Sequence, residues 1–175
     1  FSPEDLQLVK GDPAGRRRFV DELAVSLRPV VAGYHSEYER ILRQRNSLLK
    51  SMQRRARDEN ALSTLAAWDD QLALMGAQLL SARFRLLQRL LPQLRRAYAG
   101  LTDGSKDVGF TYESTVFASM GERSLEHAAL MSIKDLKEAL LRGFAERRAE
   151  EIERGVTLVG PHREDVTLLL GGLSV

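Results

Sequence analysis

Along two stretches of this chain, apolar side chains recur at alternating steps of three and four residues. The first stretch runs Val31, Tyr34, Tyr38, Ile41, Arg45, Leu48 and Met52, and the second runs Leu65, Trp68, Leu72, Met75, Leu79, Ala82 and Leu86. This spacing is the seam of a helix packing along another helix. Only a few polar residues, Arg57-Asp58-Glu59-Asn60, separate the stripes. So short a link is best satisfied if the helices fold back as an antiparallel hairpin. Nearly thirty residues at 1.5 Å rise would project on the order of 40 Å. Arg45 interrupts the first stripe, so its stem should pack while its guanidinium reaches the rim or an acidic partner such as Asp69 or Asp70. That is a structural role and not a catalytic one. Pro92 is expected to kink or end the second helix near Leu91, leaving a turn-rich piece that closes at Gly100.

The flanks carry start and stop signals. Ser2-Pro3-Glu4-Asp5 opens a short helix that runs to about Lys10 and stops at Gly11. Asp12 then caps and Pro13 starts a helix with Phe19, Leu23 and Leu27 four apart. After the hairpin, Thr102-Asp103-Gly104-Ser105-Lys106-Asp107 is turn chemistry, and residues 108–117 form a β-rich run with Phe110, Tyr112, Thr115, Val116 and Phe117. Ser132 caps a helix whose apolar face is Ile133, Leu136, Ala139, Leu140 and Phe144; a charged continuation over 147–153 ends at Gly155. Residues 156–159 and 166–170 read as strands, and Gly171-Gly172 as a hairpin turn into Leu173-Ser174-Val175. The predicted fold class is mainly α: an antiparallel, coiled-coil-like helical hairpin with additional helices and a small β-strand portion at its base. The chain opens on Phe1 and closes inside a hairpin, so it reads as a piece of a longer protein.

Composition adjusts this picture only slightly. Hydrophobic residues make up 43%, charged residues 29% and aromatics 6% of the 175 residues, a balance suited to long helices and poor for an all-β core. Twenty-six Lys and Arg against 24 Asp and Glu leave a net charge of +2, too near balance to argue nucleic-acid binding alone. The absence of cysteine excludes disulfides, thiolate-bound zinc and a thiol nucleophile, and fits a reducing cytoplasm. No apolar run approaches the roughly 20 residues of a membrane span.

Candidate chemistry is sparse. Nothing matches the phosphate-loop pattern G-x-x-x-x-G-K-[ST]: around Gly100 to Lys106 the spacing is wrong, and after Gly15 stand Arg16 and Arg17. Gly160-Pro161-His162-Arg163-Glu164-Asp165 places an imidazole, a guanidinium and two carboxylates in succession between two predicted strands. Such a group could hold a metal or act as a base. A Pro-containing turn whose polar groups satisfy backbone or meet another domain is the simpler reading. The arginine clusters Arg16, Arg17, Arg18 and Arg54, Arg55, Arg57 are either solvated helix faces or phosphate contacts.

Phe1-Ser2-Pro3-Glu4-Asp5-Leu6 with Leu8-Val9-Lys10-Gly11, then Pro13 and Arg16-Arg17-Arg18-Phe19 with Asp21, resembles the stretch that follows the first half of the ATPase head in the RecF family. Tyr38, Leu42, Gln44-Arg45-Asn46 and Leu48-Leu49-Lys50 resemble its first arm helix; Trp68-Asp69, Gln71-Leu72 and Gly76 resemble its second. Thr157-Leu158-Val159-Gly160-Pro161-His162-Arg163 with Asp165 resembles the return to the head. Glu164 stands where the family usually has Asp, and Gly171 where Asn commonly opens the hairpin.

The resemblance implies residues 1–28 as head-junction helices, 29–100 as a hairpin arm and 101–175 as the return segment. It also implies a head that binds ATP and Mg through motifs outside this chain, leaving this fragment without cofactor, metal or catalytic residues of its own. The implied partners are double-stranded DNA and gap junctions, RecO, RecR and RecA, and a second copy in an ATP-dependent homodimer, all cytoplasmic. On this reading Arg16, Arg17, Arg18, Arg54, Arg55 and Arg57 are candidate DNA contacts. His162, Arg163 and Asp165 are candidate head–arm junction residues. A rival reading makes the segment a protein-interaction scaffold contacting RecR or the second protomer, with little DNA contact; exposed apolar residues near the hairpin tip would favour it.

Overall fold

In a computed structural model, residues 11–54, 59–100, 108–116, 125–170 and 173–174 are described. The first helix, α1 (Pro13–Leu27), starts as its sequence dictates, with the Asp12 carboxylate accepting from the Gly15 amide at 2.6 Å and Pro13 at the first position. Two long antiparallel helices follow, α2 (Val30–Arg54) and α3 (Glu59–Ala99). The expected helix over residues 2–10 and the turn at 102–107 lie outside the described residues.

Pro92 does not end α3, which continues through it to Ala99. A helical proline forfeits one intrahelical hydrogen bond, and Pro92 is exposed, where water can take over that bond's acceptor. The α2 stripe also differs by one residue: Leu49 is buried in place of Leu48. A straight helix drifts about 20° per heptad against a strict seven-residue repeat, so the buried positions step Ile41, Arg45, Leu49 at intervals of four.

The hairpin does not stand alone. The Ser132-capped helix α5 (Ile133–Arg154), closed by Gly155 in the left-handed conformation, runs beside both arms and makes a three-helix bundle. Near the tip, its Ile152 joins Leu49, Met52 and Leu65 in a small apolar cluster. A second face of α3 is therefore covered. That explains why Ala73, Gly76, Ala77, Leu80, Phe84 and Leu87 are buried as well as the predicted stripe. Each fully buried leucine or phenylalanine here contributes roughly 1.5–3 kcal/mol.

At the other end lies a small sheet of β1 (Val108–Glu113), β2 (Asp165–Leu170) and β3 (Leu173–Ser174), antiparallel throughout and ordered β1-β2-β3. Phe84 of α3 meets Tyr112 edge-on at 4.8 Å, and a one-and-a-half-turn helix, α4 (Leu125–Leu130), packs on α3 and β1. The strand expected over 156–159 is absent. The chain from Gly155 instead descends along α2 as an irregular strap, and its backbone donors are met by side chains. Thr157 N–H donates to Asn46 Oδ1, Leu158 N–H to Glu151 Oε1 and Gly160 N–H to Thr115 Oγ1. A backbone satisfied in this way has no need of a neighbouring strand.

Candidate functional site

Two buried polar clusters hold the strap. In the upper one, Arg45 is fully buried and reaches neither rim nor solvent. Its guanidinium donates to Asp69 at 2.7 Å, Glu151 at 2.6 Å and Thr157 Oγ1 at 2.8 Å, and lies 4.6 Å from the Phe144 ring centre. All four elements of the bundle and strap thus meet at one side chain. Arg148 adds a second cation on Asp69 at 2.5 Å, while Asp70, the alternative partner, pairs with Lys137. The cost of burying these charges is offset only because each is paired and hydrogen-bonded.

The lower cluster surrounds residues 160–165, where the expected turn is a short 3-10 helix over Pro161–Arg163. Gly160 precedes it with φ +123°, and a Cβ there would stand 2.6 Å from the Tyr38 hydroxyl, so only glycine fits. His162 is held through both ring nitrogens, Nδ1 2.7 Å from Tyr38 Oη and Nε2 3.3 Å from the Thr157 carbonyl. One neutral tautomer serves both: Nε2–H donates to Thr157 while Nδ1 accepts from Tyr38. Burial pushes the His162 pKa down to about 4, with Arg163, Arg17 and Arg45 adding to the effect. Burial likewise pushes the Tyr38 phenol up.

Arg163 is exposed and donates Nε to the same Thr157 carbonyl at 3.2 Å. Glu164 is buried beneath Ser114, whose hydroxyl donates to Oε1 at 2.6 Å; burial raises its pKa against the opposing pull of Ser114, Tyr112, Arg83 and Arg17. Asp165 opens β2 and pairs with Arg16 through both carboxylate oxygens. The junction candidates His162, Arg163 and Asp165 therefore share one turn but face different partners. With Glu164 they form no common reactive centre, and among the described residues no group of three potential ligands could hold a metal ion.

The arginine candidates divide. Arg16 is committed to Asp165 and the Gly11 carbonyl, and Arg17 donates to the Glu164 carbonyl at 2.7 Å. They are thus not the freely solvated face that a run of three arginines suggests; Arg18 alone of the three is exposed. Arg55 and Arg57 lie outside the described residues, as does the side chain of Arg54.

Sequence reasoning gave no structural role to Arg83, Asp21 or Glu151. Arg83 forks onto Asp21 at 2.7 and 2.8 Å and donates to the Pro161 carbonyl at 2.8 Å, tying α1, α3 and the turn together. It is one of two arginines, with Arg85, in the largely apolar run 79–87, and it is the one that turns inward, as Arg45 does on the first stripe. Glu151 was hidden inside a run of charges. Arg17, Arg18, His35, Tyr38, Arg83 and His162 also line a groove of about 870 Å³ between α1 and α2. Its buried cation is already matched by Asp21, so it offers no ready cradle for phosphates.

No protein-family model matches the chain. Among curated proteins, the DNA replication and repair protein RecF of Paenarthrobacter aurescens (strain TC1) is 46% identical over 183 residues, covering 98% of this chain and 46% of that protein. RecF of Renibacterium salmoninarum is 45% identical over 185 residues with the same coverage. The chain thus spans just under half the length of these relatives. Among solved structures, that of the recombination mediator protein RecF-ATPrS in the RecFOR pathway superposes with a TM-score of 0.83 at 24% identity, over 99% of this chain and 43% of the other. The RecF-ATP structure of the same pathway gives 0.82. These two likenesses speak for the fold, mainly helical with a small antiparallel sheet, and the identity across the whole chain speaks for kinship. The chain belongs to the RecF family, as one segment of that protein.

Proposed function

We propose that this segment is the arm of a RecF protein, with α2 and α3 as the hairpin, and residues 1–28 and 101–175 as its departure from and return to an ATPase head. In the whole protein it would act as a lever and contact surface when ATP and Mg, held outside this chain, bring two heads together on double-stranded DNA at a gap. RecO and RecR would then assist the loading of RecA there. The observation that carries the reading, beside the kinship, is the pairing of Arg16 with Asp165 across 149 positions of sequence. The outgoing and returning segments meet at one end of the bundle, opposite the tip, as a projection inserted into a host domain requires.

His162, Arg163 and Asp165 serve this design as positioning residues. They fix the turn against α1 and α2, so that a displacement at the base is carried up the strap to Arg45. Among the described residues no group of three potential metal ligands accompanies them; on this reading hydrolysis is the work of the head. Among the described residues, the exposed large apolar side chains are Leu27, Val30, Leu74 and Leu130, a scatter that gives the rival scaffold reading no tip-centred patch.

Two measurements test the proposal. The gene should encode a phosphate loop ahead of Phe1 and a signature motif with a Walker B carboxylate after Val175. Its full-length product should sediment as a dimer with ATP and as a monomer without it. Absence of those motifs, or a sedimentation coefficient indifferent to ATP, contradicts the reading.

A further inference from the structure

Between residues 71 and 102 the chain carries five arginines and no acidic residue, in a protein whose charges otherwise nearly balance. Two of the five are engaged: Arg83 is buried on Asp21, and Arg95 donates to the Val108 carbonyl. The other three, Arg85, Arg89 and Arg96, are exposed on α3 at intervals of four and seven residues, which places them on one face of the helix. No hydrogen bond or ion pair engages any of their side chains among the described residues.

The contrast within the molecule is informative. On α2, Arg40 pairs with Glu37 and Arg43 with Glu39; on α5, Lys134 pairs with Glu138, and Arg147 and Arg154 with Glu150. Those helices show the usual mixed-charge surface, and this face of α3 does not. Attraction to the negative end of the helix accounts for Arg96, in the last turn. It falls off within a turn, so it cannot account for Arg85 or Arg89.

We infer that Arg85, Arg89 and Arg96 form a contact face for the phosphate backbone of duplex DNA. From Arg85 to Arg96 is about 16 Å along the helix axis, close to the axial span of about five phosphates on one strand. Three unmatched guanidiniums at this spacing follow a backbone without reading bases. The inference rests on the proposed DNA role and assigns it to a face that none of the sequence-derived candidates includes.

The test uses full-length protein, a fluorescent duplex and a titration of anisotropy against salt. Replacing all three residues, as Arg85→Gln with Arg89→Gln and Arg96→Gln, should weaken binding at least tenfold at moderate salt. The slope of log affinity on log salt should fall by about 2.7, at about 0.9 for each phosphate no longer neutralised. A control set of paired arginines, Arg40→Gln with Arg43→Gln and Arg147→Gln, should change neither. If the wild type binds and the α3 variant matches it in affinity and slope, the face is wrong while the DNA role stands. If the wild type fails to bind DNA at all, the broader reading fails and takes this face with it. Should the triple variant not fold, phenylglyoxal footprinting of the wild type decides: Arg85, Arg89 and Arg96 must be shielded by duplex DNA more than Arg40 and Arg43. Equal reactivity with and without DNA overturns the assignment.

Discussion

Replacing Arg45 should be strongly destabilising. Arg45→Ala removes three hydrogen bonds and leaves Glu151 without its cation, and the Glu151 side chain is fully buried. Asp69 keeps Arg148, so one carboxylate is stranded and not two. Breaking a buried pair by removing one partner costs about 3–5 kcal/mol, a large share of a total stability of roughly 5–15 kcal/mol. With a urea slope of ~2 kcal/mol per molar, the unfolding midpoint should fall by about 2 M. Arg45→Lys keeps the charge but not the fork, so it cannot reach Asp69, Glu151 and Thr157 together and should fall in between. Adding Glu151→Gln to Arg45→Ala should restore part of the stability, since the stranded charge is then gone. The assay is equilibrium urea unfolding followed by circular dichroism. A shift under ~0.5 M for Arg45→Ala, or no recovery in the double variant, would refute the claim that this cluster pins the strap.

Three further outcomes follow from particular residues. Gly160→Ala forces a Cβ against the Tyr38 hydroxyl at φ +123°, so it should destabilise by about 2 kcal/mol or more in the same assay; a neutral result would contradict the turn geometry. Pro92→Ala should stabilise, by up to ~3 kcal/mol, because α3 continues through an exposed position there; destabilisation would mean that the helix does not run on. The folded-state pKa of His162, about 4, lies below its unfolded value of about 6.5, so the unfolded chain binds the extra proton. Its contribution, on the order of 3 kcal/mol, is complete above pH 6.5 and is lost as pH falls towards 4. Glu164, raised in the fold, acts in the opposite sense. The difference between wild type and His162→Gln across pH 4–7 therefore isolates the histidine, and parallel stability curves would contradict its burial as a neutral ring.

Much of this fold can be read from local signals, because local chemistry decides them. Asp12 before Pro13, the Ser132 and Asp135 capping box, and Gly155 in the left-handed conformation each fix a helix end within a few residues. The hairpin follows from two stripes and a short polar link. What escapes local reading depends on residues far apart. The Thr157 amide is satisfied by Asn46, 111 positions away, so a Val-Thr-Leu-Val run with strand propensity becomes a strap. Glu151 lies in a stretch of charges that looks solvated, and only its contact with Arg45 identifies it as core. The bundling of α5 with the hairpin was hidden for the same reason: its apolar face is legible, but not its partner. At the candidate site, the Gly160-Pro161-His162-Arg163 turn could be located, whereas its tie to Tyr38 and to Arg83 could not.

Whether side chains of the bundle hold the strap over residues 157–160 from base to tip is measured most directly by hydrogen exchange. In native conditions, the amides of Thr157, Leu158 and Gly160 should exchange as slowly as those of buried α3 residues such as Leu72 and Leu80, and should speed up together in Arg45→Ala. Exchange of these three amides at the rate of an open loop, in a protein whose α3 stays protected, would contradict the account.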